Sequence, residues 1–127
     1  MEITVKEFNQ TELITIQGRV DSVEASRLAE ALEAAHHRGK YRIVVDMSQV
    51  EHMSSAGFRA LGDAQRNSKR HDRGEVVLAQ VPDLIHGALE LVGFAEYFKI
   101  FDNVTSALEF AANLPADDSI TDAPPGK

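Results

Sequence analysis

Two adjacent hydroxyl side chains, Ser54 and Ser55, are the clearest candidates for chemistry, in the stretch EHMSSAGFRA. They follow the apolar Met53 and precede Ala56 and Gly57, where the spacing of apolar residues becomes helical. One serine at a helix start is explained by capping, because its oxygen accepts a hydrogen bond from an early backbone N–H group. The second hydroxyl is left as a candidate nucleophile or a candidate acceptor of a modifying group.

A serine-histidine enzyme is one hypothesis, since His52 lies three residues before Ser55. Catalysis by such a pair also needs an acid that orients the histidine, and the sequence identifies none. It contains neither a G-x-S-x-G nucleophile elbow nor a glycine-rich phosphate loop. A surface histidine is therefore the favoured interpretation of His52.

Phosphorylation is the other hypothesis for the serine pair. Free N–H groups and the positive end of the dipole stabilise negative charge at a helix start. A phosphate adds about −1.5 to −2 charges at pH 7, and the fold would tolerate it there. Its disruptive effect would fall on a partner that docks over the helix start.

Other polar groups favour structural interpretations. Asp46 ends a predicted strand, where we expect it to bond the backbone of the following DMSQV turn rather than to act chemically. A basic cluster near the end of the second helix could bind nucleic acid, but cations stabilise a helix C-terminus without any partner. The cluster consists of Arg66, Lys69, Arg70 and Arg73.

Composition limits the classes of function. The chain has 127 residues, 43% hydrophobic and 26% charged, which fits one globular domain. A formal net charge of −7 disfavours direct nonspecific binding to nucleic acid or anionic membranes. With no cysteine and no histidine spacing typical of metal ligands, we expect no cofactor. No signal peptide or membrane-length apolar run is visible, so we expect a cytoplasmic protein without membrane insertion.

Strands and helices alternate along the chain. EITVKEF and ELITIQGRV alternate apolar and polar residues and predict a hairpin that turns at Asn9 and Gln10. The first helix has apolar residues at helical spacing, and Asp21 with Glu24 resembles a capping box. Gly39 is the predicted C-terminal stop of this helix.

The second half continues the alternation. YRIVVDM is a predicted strand, SQVEHM a loop, SAGFRALGDAQRNSKRHDRG a helix and EVVLAQV a strand. PDLIHGALELVG is a helix, YFKIF a short strand, and DNVTSALEFAANL a helix capped by Asp102 or Asn103. This order predicts an α/β fold with a mixed, mainly parallel sheet of about five strands and four helices. The first strand would lie antiparallel at an edge.

The character of the chain changes at Pro115. Residues 115–127 are polar and proline-rich, without periodicity, and predict a disordered C-terminal tail after a domain of residues 1–114. Three aspartates and one lysine give this tail −2 of the net charge of −7.

The segment YRIVVDMSQVEHMSSAGFRALGDAQR resembles the signature of the STAS domain, which sulfate transporters and anti-sigma factor antagonists share. That signature is a strand ending in Asp, then Ser-x-Val, a loop, an apolar residue, Asp or Ser, Ser or Thr, a small residue and Gly. Upstream, IQGRVDSVEASRL is similar to the family's G-x-[LV]-D before a helix, and KIF resembles its last strand. The matching signature positions are Asp46, Ser48, Val50, Met53, Ser54, Ser55, Ala56 and Gly57.

The resemblance implies a binding protein rather than an enzyme. Antagonists of this family bind an anti-sigma factor that is also a serine kinase of the histidine-kinase-like ATPase class. Phosphorylation of the signature serine breaks the complex, and a PP2C-type phosphatase restores it. By position that serine is Ser55, with Ser54 as the alternative. We expect a monomer or a weak dimer.

The implied partner-binding surface surrounds the start of the second helix. Ser54 stands where the best-known antagonists have Asp, so it removes a charge beside the target hydroxyl or offers a second acceptor. Asp21 matches an acidic position near the modified serine. A non-phosphorylated scaffold or subunit of a stress-signalling or lipid-transport assembly is the alternative function. The implied contact residues are Asp21, Ser54, Ser55, Ala56, Gly57 and Arg59.

Overall fold

A five-stranded sheet organises the computed structural model, which describes residues 1–8, 10–71 and 74–114. The predicted alternation of strands and helices is confirmed. The elements are β1 (Glu2–Glu7), β2 (Thr11–Val20), α1 (Glu24–His37), β3 (Arg42–Met53), α2 (Ser55–Lys69), β4 (Glu75–Ala79), α3 (Asp83–Leu91), β5 (Lys99–Phe101) and α4 (Val104–Ala112).

The order of strands in the sheet is the order along the chain, β1-β2-β3-β4-β5. β1 pairs antiparallel with β2, with Ile3 opposite Ile16, and every later pair is parallel. The mainly parallel sheet with an antiparallel edge strand is therefore confirmed. Because parallel strands need crossovers, α1, α2 and α3 each begin near the same edge of the sheet, where the parallel strands end.

The sheet separates two apolar layers. On one face α1, α2 and α3 bury the larger core, which contains Ile14, Leu28 and Leu61 with no exposed surface. On the other face α4 packs Ala107 and Ala111 against Val44 and Val77. Each large side chain buried in this way stabilises the fold by about 1.5–3 kcal/mol. Both faces of the central strands are covered, which explains their continuous apolar runs.

β3 is longer than the sequence pattern predicts. The prediction that SQVEHM is a loop is wrong, because β3 continues through it to Met53. The second half of β2 provides the partner, and Val20 pairs with Met53. Register shifts after Thr15 and after Gly18 break the two-residue period, and Val50 and Met53 are buried three positions apart. β2 and β3 thus form an arm beyond Asp46, where β3 pairs with the last residue of β4.

Most helix ends agree with the sequence. Gly39 and Gly93 follow α1 and α3 with φ of 80° and 81°, a left-handed conformation that glycine adopts without strain. Asn103 caps α4 by accepting a hydrogen bond from the Ser106 N–H group at 2.7 Å. No helix in the described part of the chain is long and apolar enough to span a membrane. The predicted tail, residues 115–127, lies outside the described residues.

Candidate functional site

The serine pair lies at the tip of the β2–β3 arm, where α2 begins. The Ser54 N–H group donates to the carbonyl oxygen of Val20 at 2.8 Å. This bond continues the pairing of β2 with β3 by one residue and fixes the start of α2 beside the end of β2. Asp21, the residue after Val20, is therefore held next to the serine pair.

Ser54 is the N-cap of α2. Its backbone is extended, with φ −77° and ψ 168°, and its Oγ accepts a hydrogen bond from the Gly57 N–H group at 3.3 Å. The side chain is half-buried. The N–H group and the hydroxyl oxygen of Ser54 are thus both bonded within the fold, and its carbonyl oxygen accepts from the Phe58 N–H group.

Ser55 is the first residue of α2, and its side chain is exposed. Within residues 1–8, 10–71 and 74–114, its hydroxyl makes no hydrogen bond. The two serines, equivalent by sequence pattern, are therefore distinct in structure. Ser54 carries the cap, and Ser55 presents its hydroxyl to solvent.

Gly57 allows α2 to lie directly on the arm. It is buried, and a Cβ atom added there would lie 2.7 Å from Met53 Cγ and 3.1 Å from Val20 Cγ1. A Cβ atom there would displace the Met53 and Val20 side chains or move the helix start away from the strands. Gly57 thus contributes to the candidate site by allowing the start of α2 to pack closely on β2 and β3. Ala56 is half-buried against the larger core.

Asp21 starts the turn into α1. Its Oδ1 accepts a hydrogen bond from the Glu24 N–H group at 2.9 Å, but the N-cap residue of α1 is Val23, so the predicted cap position of Asp21 is wrong. The reciprocal half of the predicted box does not form. Glu24 instead bonds the amino group of Met1 at 3.0 Å and Arg27 at 3.2 Å. These two cations hold the pKa of the Glu24 carboxyl below its usual value. Asp21 itself is exposed.

Arg59 lies one turn after Ser55 on α2 and is exposed. It borders an open groove of about 510 Å³. The nearby Arg66 forms an ion pair with Asp63. The groove also contains two aromatic residues, Phe94 and Tyr97, from the segment between α3 and β5. That segment has no regular period, so the sequence pattern gave no signal that its rings would lie beside α2.

Exposed apolar side chains are a second feature that the sequence pattern did not predict to be part of the site. Val23, just before α1, is 80% exposed, and Leu84, in the first turn of α3, is 79% exposed. Val23 follows β2 and Leu84 follows β4, so both come after the carboxyl ends of parallel strands. Each lies close in sequence to buried residues of α1 or α3, so helical periodicity alone does not predict that it is exposed.

A family model for the STAS domain matches residues 2–107, which include all these site residues. The chain belongs to the STAS domain family. Its likeness to named members is broad but distant. BtrV of Bordetella bronchiseptica, which carries the name of an anti-sigma factor antagonist, is 28% identical over 116 residues, covering 91% of this chain and 99% of BtrV.

Solved STAS structures share the fold. The phosphorylated form of the Bacillus cell fate determinant SpoIIAA has a TM-score of 0.70 at 14% identity, covering 86% of this chain and 98% of that one. A sulfate transporter family protein from Wolinella succinogenes has a TM-score of 0.70 at 28% identity, covering 83% and 87% of the two chains. The STAS fold is thus established by both sequence and structure.

The other polar residues that the sequence offered as candidates make contacts of the kind expected for structural or surface residues. Asp46 Oδ1 accepts a hydrogen bond from the Ser48 N–H group at 3.0 Å, which confirms its predicted backbone-bonding role. His52 is exposed on β3, and no hydrogen bond joins it to Ser55 among the described residues. Lys69, from the basic cluster, lies 3.9 Å from Glu75, and Arg73 lies outside the described residues. None of these arrangements supports a serine-histidine enzyme or a nucleic-acid patch.

Proposed function

We propose that this STAS protein is an anti-sigma factor antagonist controlled by phosphorylation of Ser55. Its partner is an anti-sigma factor that is also a serine kinase of the histidine-kinase-like ATPase class, and a PP2C-type phosphatase reverses the modification. The observation that carries the proposal is the division between the two serines. Ser54 caps α2 and leaves the Ser55 hydroxyl exposed and unbonded among the described residues.

The chemistry proposed at Ser55 is a phosphoryl transfer. A bond forms between Ser55 Oγ and the γ-phosphorus of ATP, the bond from that phosphorus to its bridging oxygen breaks, and ADP and the hydroxyl proton leave. The phosphatase uses water to return serine and inorganic phosphate. The protein supplies only the acceptor, so it needs no cofactor or catalytic residue of its own, and the reaction belongs in the cytoplasm with its partner.

The unmodified surface fits a protein partner. Val23 and Leu84 are exposed apolar side chains that follow the ends of β2 and β4, and Asp21, Ser55 and Arg59 are exposed polar ones around the start of α2. Apolar anchors beside charged groups are typical of protein interfaces. A phosphate at Ser55 would place about −1.5 to −2 charges within that contact area, where an unmatched charge opposes binding.

The acceptor is tested with the proposed partner, a serine kinase of the histidine-kinase-like ATPase class from the same organism. The purified kinase, ATP and the full chain are incubated, and phosphate is mapped by mass spectrometry. We expect phosphate on Ser55 in the parent and in Ser54→Ala, and none in Ser55→Ala. Phosphate on Ser54, or on neither serine with a kinase shown to be active on another substrate, would contradict the proposal.

Binding is tested by calorimetry against the same kinase. Ser55→Asp adds a charge at the exposed position, so we expect its affinity to fall about tenfold or more, with the melting temperature nearly unchanged. Ser55→Asn, which adds bulk without charge, is the matched control and should bind more tightly than Ser55→Asp. Equal affinity of the parent and Ser55→Asp would refute charge repulsion, and a marked fall in melting temperature would make Ser55 a structural residue.

A non-phosphorylated subunit of a transport assembly is the second candidate. The likeness to the Wolinella sulfate transporter family protein favours it. The same phosphate mapping separates the two candidates, because a subunit of this kind needs no acceptor serine and would remain unmodified by an active kinase.

A further inference from the structure

We infer that Arg59 is the intramolecular partner of a phosphate on Ser55, so that phosphorylation removes a cation from the binding surface as it adds an anion. The inference rests on the proposed function for the identity of the modified residue. It concerns a different property, namely which side chain of the same protein pairs with the phosphate once it is attached to Ser55.

The spacing on α2 brings the two side chains together. Ser55 and Arg59 are four residues apart on one helix, and both are exposed. Such residues lie on one face with their Cβ atoms about 5–6 Å apart. Helical side chains lean toward the N-terminus, which directs the Arg59 side chain back toward Ser55. An anion that precedes a cation by four residues is also the more favourable order.

Arg59 is available for this role. Arg66 on α2 pairs with Asp63 and Arg27 on α1 pairs with Glu24, whereas Arg19 on β2 forms no ion pair among the described residues. In the part of the chain that the structure describes, Arg59 forms no ion pair and no side-chain hydrogen bond. The first turn of α2 contains no acidic residue, so the unmodified helix offers no anion there.

A phosphate on Ser55 would bind the Arg59 guanidinium and would also change the charge of the surface around Ser55. Its three oxygens extend beyond the serine oxygen and accept the paired N–H donors of a guanidinium. Arg59 would then be held against its own helix instead of pointing to the groove with Phe94 and Tyr97. An aspartate at position 55 is shorter and carries less charge, and it would capture Arg59 less well than a phosphate does.

The test uses full-length protein with phosphoserine encoded at position 55, so no kinase is needed. The second pKa of the phosphate, ordinarily about 6, is measured by ³¹P NMR in the parent, in Arg59→Gln and in Arg66→Gln. Loss of the pairing should raise this pKa by about half a unit in Arg59→Gln. The matched control, Arg66→Gln, should leave it unchanged, and Arg59→Lys should recover part of the effect.

Other charges near this turn do not confound the comparison. Arg19 on β2, Asp21 before α1, Glu24 on α1, His52 on β3 and Asp63 on α2 are present in every variant, and thermal unfolding of each variant checks that it folds. The difference between the parent and Arg59→Gln should shrink in 1 M salt, where screening acts over about 3 Å. Identical phosphate pKa values in the parent and Arg59→Gln would overturn the inference.

The outcome is separable from that of the proposed function. If no kinase modifies Ser55 but the encoded phosphate responds to Arg59→Gln, the pairing stands and the regulatory proposal fails. If the kinase modifies Ser55 and Arg59→Gln leaves the second pKa of the phosphate unchanged, the regulatory proposal stands and the pairing is refuted.

Discussion

Ser54 and Ser55 are neighbours in sequence, yet their oxygens meet different surroundings. The Ser54 oxygen accepts the Gly57 N–H bond, whereas the Ser55 oxygen faces solvent. A cap of this kind contributes about 0.5–2 kcal/mol to stability. The fold therefore constrains position 54 to residues with a short polar side chain, and it leaves position 55 free to take a bulky charged group.

Position 54 gives a prediction about stability. Ser54→Ala should lower the free energy of unfolding by about 0.5–2 kcal/mol, because the Gly57 N–H group loses its acceptor. Ser54→Asp should keep most of the stability, since an aspartate caps a helix as well as a serine does. Denaturant unfolding measures both, with Ser55→Ala as the control at the exposed position. A Ser54→Ala variant as stable as the parent would show that the bond contributes nothing.

Two glycines form a matched pair for a second prediction. Gly57→Ala places a Cβ 2.7 Å from Met53 Cγ, whereas a Cβ at Gly87 on α3 meets nothing within 4 Å. Overpacking costs about 1–3 kcal/mol, so Gly57→Ala should be destabilising. Gly87→Ala should be stabilising by about 0.5–1 kcal/mol through helix propensity. Equal changes in denaturation midpoint would contradict the close packing of α2 on the arm.

Sequence spacing placed the serine pair at a helix start but did not divide their roles. The division depends on which residue is the N-cap, and helix ends read from a pattern are uncertain by one or two residues. Only the resemblance to STAS proteins favoured Ser55 before the structure. Backbone geometry now supplies an independent reason, because Ser54 is the residue with extended dihedrals.

At the level of secondary structure, aromatic rings connect α1 with the residues just before β3 and just after α2, at the end opposite the serine pair. Tyr41 stacks between His36 and His71, with ring centroids 5.2 Å and 4.1 Å apart. His36 Nε2 lies 2.8 Å from Ser68 Oγ. Partial burial, with the nearby His71, lowers the pKa of His36 in the folded protein, although Glu33 opposes the shift.

The lowered pKa of His36 predicts how stability depends on pH. The unfolded chain binds a proton near the ordinary value of 6.5, while folded His36 binds it only at lower pH. Stability from this group is therefore complete above about pH 6.5 and is lost as pH falls toward the folded pKa. Denaturation at pH 7.5 and 5.5 should show a smaller loss for His36→Gln than for the parent. His37→Gln removes only the smallest contribution to the His36 shift, so its loss should be closer to that of the parent than to that of His36→Gln.

The elements also show what a sequence pattern leaves out. The helices and the presence of five strands were predictable from the sequence, because each of these elements has apolar residues at a regular period. The extension of β3 to Met53 was not, because β3 carries an extra residue opposite Thr15–Gln17 of β2 and another opposite Gly18–Arg19, and these bulges shift the register. The extension of β3 depends on its pairing with β2, a distant segment of the chain. The local sequence SQVEHM has no alternating period that would predict a strand.

At the scale of the whole molecule, β3 and β4 lie at the centre of three layers. Val44 and Val45 on β3, and Val77 and Leu78 on β4, have no exposed surface. β1 is an edge strand with mostly exposed residues. Stability is thus expected to be distributed unevenly across the sheet.

Amide hydrogen exchange tests this distribution. We expect the amides of β3 and β4 to exchange only through global unfolding, and those of β1 to exchange through local opening with a lower free energy. Native-state exchange in low denaturant, resolved by NMR, distinguishes the two. Equal protection of β1 and β3 would mean that the edge strand is as firmly held as the centre.

The match between strand order and chain order has a consequence for synthesis on the ribosome. Each of β2, β3, β4 and β5 pairs with the strand made immediately before it, so the emerging chain can extend the sheet from one edge without waiting for a distant segment. The opposite face is completed last. Until Val104–Ala112 emerge, Val44 and Val77 lack their covering helix α4, and the nascent chain carries an open apolar surface that depends on the final helix for its protection from aggregation.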